Sequence, residues 1–112
     1  MALDFYIANS KRDINWRERI VGIEESFQNF LRNNADAVSL GAGCICEIDP
    51  YGDKVLGSHD IEKLMDVCRN LKNHKCLDKY RESTVERENL VKLEAACKSA
   101  LETNQYIFAF GD

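Results

Sequence analysis

The side chains best suited to chemistry in this sequence are five cysteines (Cys44, Cys46, Cys68, Cys76, Cys97) and two histidines (His59, His74). On a strand, residues two apart leave the same face, so Cys44 and Cys46 could share one metal ion or react together, with His74 and Cys76 as further ligands. No spacing here matches a recurrent zinc pattern, and Cys68 and Cys97 fall inside apolar helical stripes, where a free thiol behaves as a small hydrophobe. The favoured reading is therefore buried, inert thiols with no metal and no cofactor. Neither histidine belongs to a nucleophile, base and orienter pattern, and His59 stands beside Asp60 at a predicted helix start, where the helix dipole disfavours imidazolium. Gly41-Ala42-Gly43 leads into a predicted strand rather than a helix, which is the wrong context for a phosphate loop. Gly57-Ser58 does precede a helix, but Asp60 and Glu62 in its first turn repel phosphate. The window from Asp49 to Asp60 has the length of a calcium loop, yet Tyr51 occupies position three and Lys54 position six, where Gly is needed. No catalytic constellation emerges, and the expectation is that the protein is not an enzyme.

Charge carries more information. The chain has 112 residues, with 15 Lys plus Arg against 19 Asp plus Glu and a formal net charge of −4. Residues 35–66 hold two bases, Lys54 and Lys63, against seven acids: Asp36, Glu47, Asp49, Asp53, Asp60, Glu62 and Asp66. Residues 67–82 reverse the balance through Arg69, Lys72, Lys75, Lys79 and Arg81. Spacings of three and four could align several of these bases on one helix side and attract nucleic acid, but the acidic segment would repel the same polyanion. The better candidate is the acidic segment itself. Asp49, Tyr51 and Asp53 form a turn with an aromatic at its tip, and Asp60 and Glu62 follow at a helix start. Carboxylates steer a basic protein toward such a surface, and a tyrosine supplies contact area and a hydrogen bond.

These residues need a scaffold, and the length fits one domain, 1–112, large enough to bury its own core. Leu3, Phe5 and Ile7 alternate with Asp4, Tyr6 and Ala8, the period of a half-buried strand. Trp16, Ile20, Ile23, Phe27, Phe30 and Leu31 recur at threes and fours, which predicts a helix over 13–32 with Asp13 as N-cap; Gly22 weakens its middle unless close packing needs it. The small, β-branched and sulfur-containing run 37–48 predicts a strand bent at Gly41 and Gly43, and the DPYGDK turn returns it into a short strand over 54–56. Ser58 caps a helix carrying Ile61, Leu64, Met65, Cys68 and Leu71, a corner follows near 70–74, then a short helical turn. Ser83 with Glu86 matches a capping box, opening a helix that runs to about Glu102. Tyr106 to Phe110 form an apolar strand expected at the sheet's centre, with Tyr106, Phe108 and Phe110 toward the helices and Ile107 on the more open face. The fold class is thus α+β: a small, mainly antiparallel sheet of about four strands with three main helices packed on it.

No apolar run reaches the length of a membrane span, the Met1 end lacks a secretory pattern, and an odd cysteine count argues for reduced thiols, so the expected location is cytoplasmic. In size, charge and element mix, though in no particular residue, the chain resembles the immunity proteins that bacteria make against nucleic-acid-degrading toxins. The resemblance implies an acidic, non-enzymatic protein that neutralises a basic partner such as a toxin. The alternatives are a thiol- or metal-responsive module on Cys44 and Cys46, and a nucleic-acid binder using 69–81. The apolar last strand also leaves room for a homodimer.

Overall fold

The computed structural model describes residues 2–111 and has the expected α+β class. Four antiparallel strands, β1 (Ala2–Ala8), β2 (Val21–Glu24), β3 (Asp53–Leu56) and β4 (Tyr106–Phe110), lie in the order β2-β1-β4-β3. Between them run α1 (Glu25–Arg32), α2 (Ala35–Ser39), α3 (Gly43–Cys46), α4 (Ser58–Leu71) and α5 (Ser83–Thr103), with 3-10 turns at Lys11–Asp13 and Lys75–Lys79. No helix among the described residues is long and apolar enough to cross a membrane.

Register decides what each sheet face carries, because residues directly opposite in an antiparallel pair share a face. Leu3 pairs with Ile23, Phe5 with Val21 and Ala109, and Ile107 with Ile7 and Leu56. This set turns toward the helices and joins Phe27, Leu31, Leu64, Leu90 and Leu93 in the main core. The opposite face carries Tyr6 across from Phe108, Ala8 across from Tyr106, and Val55 across from Phe108. There Tyr6, Ala8, Ile14 and Phe108 form a second, thinner apolar layer. β4 is central, as expected, but its facing is the reverse of the expectation: Ile107 is fully buried under the helices, while Tyr106, Phe108 and Phe110 turn away from them. The loop between β1 and β2 explains this, since Ile14 gives Phe108 a lid without any helix.

The predicted helix over 13–32 is helical only from Glu25 onward. Val21 and Ile23 fit a period of two as well as of three or four, and β1 offers them a ladder, in which the Ile20 N–H donates to the Phe5 carbonyl at 2.8 Å. Gly22 belongs to this strand. A Cβ there would lie 2.9 Å from Arg19 Nη1 and 3.0 Å from Asp4 Oδ1, so the glycine leaves room for the Arg19–Asp4 ion pair across the sheet.

The segment 37–48 is not a strand either. It forms α2 and α3, joined through Gly41 at φ +92°, a conformation that favours glycine. The Asn34 side chain caps α2 by accepting from the Ala37 N–H at 3.1 Å. Gln28, buried on α1, donates through Nε2 to the carbonyls of Ile45 and Ile48 at 2.9 and 3.0 Å, and Arg32 donates to the carbonyl of Cys46. Side chains of α1 thus satisfy acceptors that a neighbouring strand would otherwise need to fill. β3 consequently pairs with β4 alone, and the expected hairpin with the preceding segment does not exist.

The two long helices keep their expected spans, though not their expected caps. Neither Ser58 nor Ser83 caps through its side chain, since the N-cap positions are Gly57 and Glu82. Glu86 forms no capping box. It is 3% exposed, accepts from Asn89 Nδ2 at 2.8 Å through Oε1, and its Oε2 has no hydrogen-bond partner among the described residues. Burial, with the charges of Glu24 and Glu82 adding to it, raises this carboxyl to about 7. The proton is held more tightly in the folded chain than in the unfolded one, so stability falls as pH rises from the ordinary carboxyl range through 7, then levels off. Glu86→Gln, which mimics the protonated form, is expected to gain about 2 kcal/mol at pH 8 and nothing near pH 4. Urea titrations of both proteins at the two pH values check it.

Candidate functional site

The turn between α3 and β3 is built by short-range hydrogen bonds. Asp49 Oδ1 accepts from the Tyr51 N–H at 2.9 Å, and the Gly52 N–H donates to the Asp49 carbonyl at 3.2 Å. The far end of β4 then pins it: the Gly111 N–H donates to the Gly52 carbonyl at 2.7 Å, and a Cβ on Gly111 would collide with the Pro50 carbonyl. Tyr51 is 58% exposed. Its hydroxyl donates to the Glu25 carboxylate at 3.2 and 3.3 Å, and the Glu25 charge raises the phenol above its ordinary range.

The five acidic-segment residues are carried by two elements. Asp49 and Tyr51 lie in the turn before β3 and Asp53 opens that strand, whereas Asp60 and Glu62 lie on α4, which follows the strand's other end. Asp60 lines a cavity of about 50 Å³ with Cys44, Lys54, Leu56, Lys63 and Leu64.

What adjoins the turn instead is the aromatic face of the sheet. Asp53 is paired in register with Phe110, and the ammonium of Lys11 lies 4.0 Å from the Asp53 carboxylate and 5.8 Å above the Phe110 ring. Trp16, 56% exposed, leans on Phe110 and Tyr6 with ring centroids at 5.0 and 5.1 Å. Phe108 stacks on Phe110 at 6.3 Å, and Tyr106 meets Phe108 edge-on at 6.4 Å. Exposed Trp16, Val55 and Tyr106 therefore belong to the sheet face opposite the main core. Sequence reasoning placed Trp16 in a helical core stripe and missed it. The signal available was the shared period of two in Tyr6-Ala8 and Tyr106-Phe108-Phe110. Chemically the surface offers ring area, a cation held over a ring, and carboxylates at its rim, which are the means of recognition.

The remaining candidate residues go elsewhere. Cys44 and Cys46, two apart on a helix rather than a strand, are rotated about 200° from each other instead of sharing a face. Cys46, Cys68, Cys76 and Cys97 are buried, Cys44 is half-buried, and all five are free thiols. Burial pushes the Cys97 thiol up to about 12 and Cys68 higher still. His74 caps the 3-10 turn, its Nδ1 accepting from the Cys76 N–H at 3.0 Å. Among the described residues, no three His, Cys, Asp or Glu side chains come together to hold a metal ion. The bases of 69–81 do not share one helix. Arg69 is on α4, Lys72 follows its end, and Lys75 and Lys79 lie on the 3-10 turn, while Arg69 and Lys72 both contact Glu94.

No protein-family model, curated protein or solved structure matches this chain.

Proposed function

We propose that this chain is a non-enzymatic binding protein that engages and neutralises a basic protein partner, in the manner of an inhibitor or antitoxin. The observation that supports this reading best is the continuity of an exposed aromatic surface with an acidic turn, Trp16 to Phe110 to Lys11 to Asp53. A partner's arginine or lysine laid on Trp16 gains cation–π contact, and displacing Lys11 would free the Asp53 carboxylate to pair with it. Asp49 holds the turn's shape and Tyr51 extends its contact area; Asp60 and Glu62 contribute at longer range to the field that steers the encounter.

Wild type and two variants, Trp16→Ala and Asp53→Lys, immobilised and challenged with extract of the source cells, test the reading. Asp53 is the better charge to reverse, because Asp49 also caps the turn. A basic protein retained by wild type should bind Trp16→Ala about thirtyfold more weakly, as expected of a central aromatic anchor, and Asp53→Lys should weaken it further at low salt than at high salt. Retention of the same protein by both variants at wild-type affinity would overturn the assignment.

A further inference from the structure

On the opposite side of the molecule, α4 and α5 pack side by side and leave a groove facing away from the sheet. Its volume is about 270 Å³, just under the range of sites that enclose drug-sized ligands, which suits a small molecule. Met65, Val91 and Ala95 supply its apolar lining; Val91 is half exposed, although it sits mid-helix on the solvent side. The rim carries three cations, Arg69, Lys72 and Lys98, and one anion, Glu94. Glu94 is already engaged twice, by Lys72 Nζ at 2.7 Å and Arg69 Nε at 3.4 Å, and Arg69 also meets Asp66 at 3.5 Å. Lys98 makes no ion pair among the described residues. In a chain of net charge −4, this groove is therefore locally cationic and partly apolar in its lining.

We propose that the α4–α5 groove binds a small amphipathic carboxylate, its hydrocarbon part on Met65, Val91 and Ala95 and its headgroup against Lys98 and Lys72. Burial of the chain supplies affinity roughly in proportion to the area covered, and the uncompensated ammonium of Lys98 selects the anionic head. A charged group paired at the rim retains part of its hydration, so the head adds selectivity while the chain carries most of the binding. The site is separate from the aromatic face and does not depend on the function proposed for it.

Sodium decanoate is the probe, titrated into isotope-labelled protein and followed by methyl and amide NMR, with decanol as the neutral counterpart. Saturable shifts at Met65, Val91 and Ala95 are expected, with decanol binding at least about fivefold more weakly. Lys98→Glu should weaken decanoate about tenfold and leave decanol unchanged, and Val91→Asp should abolish both while leaving the thermal melt close to wild type. Shifts that map to Trp16 and Tyr106, equal affinity for the two probes, or indifference to Lys98→Glu would each overturn the proposal. So would an acidic amphipathic peptide saturating the groove where decanoate does not, because the occupant would then be a partner's helix.

Discussion

Ile107→Ala is expected to destabilise the fold by about 3 to 4 kcal/mol. Ile107 is fully buried at the middle of the sheet, paired to Ile7 on one side and Leu56 on the other, with helices above it. Strands fixed by ladders on both sides cannot close over the space left by the truncation, so most of the cavity cost should appear. Phe108 is also buried, at 4% exposure, but its cover is the β1–β2 loop, which can settle into a vacancy; Phe108→Ala should therefore cost about 2 to 3 kcal/mol despite the larger deletion. Tyr106, 46% exposed, should lose less than about 1 kcal/mol. Urea melts of the three variants at one pH give the ranking. Equal losses at Tyr106 and Ile107 would contradict the facing of β4.

Gln28→Leu should cost about 1 to 3 kcal/mol, although it adds apolar surface to the core. The substitution strips the side-chain donor from the carbonyls of Ile45 and Ile48; the Ile45 carbonyl keeps the Ile48 N–H at 3.4 Å, whereas the Ile48 carbonyl loses the donor that Gln28 supplies, and a buried acceptor left without a partner costs about 1 to 3 kcal/mol. Gln28→Glu should be worse near neutral pH, since a carboxylate has no proton to donate and brings its own charge against the two oxygens. Hydrogen exchange adds a local test: amides of α3 should lose protection in Gln28→Leu before those of α5. A stability change within about 0.5 kcal/mol would show that the two hydrogen bonds are replaceable by water.

The contrast between well-read and misread segments has a physical basis. α4 and α5 were legible because their apolar residues repeat over 14 and 21 residues, long enough for one period to exclude the other. Over 20–31 the two periods coexist. Val21 and Ile23 alternate as a strand while Ile23, Phe27 and Leu31 keep helical spacing, and only the neighbouring β1 resolves the change at Glu24. The 37–48 segment reads as a strand by residue type, but its carbonyls are claimed by Gln28 and Arg32, which are one helical turn apart on α1 and distant in sequence. Local propensity has no access to such a partner. The acidic turn was legible because turn chemistry is local, and its tyrosine is indeed exposed. Trp16 was not, because an apolar residue near a helical stripe looks the same whether it ends in the core or on an open sheet face.

The adjacency of β1 and β4 at the sheet's centre also sets how the chain must fold. Their pairing joins segments about 100 residues apart, and among the described residues β3 has no strand neighbour except β4, so neither β1–β4 nor β3–β4 contacts can form until β4 arrives. Closing a loop that long costs about 2 kcal/mol more than closing one of ten residues, before any ladder hydrogen bond offsets it. The α4–α5 pair, joined by residues 72–82 with their 3-10 turn, closes a far shorter loop and is the natural early structure. The folding rate should accordingly resemble that of domains dominated by nonlocal contacts, in the range of milliseconds to seconds rather than microseconds, and a nascent chain lacking β4 would present β3 unpaired to other chains.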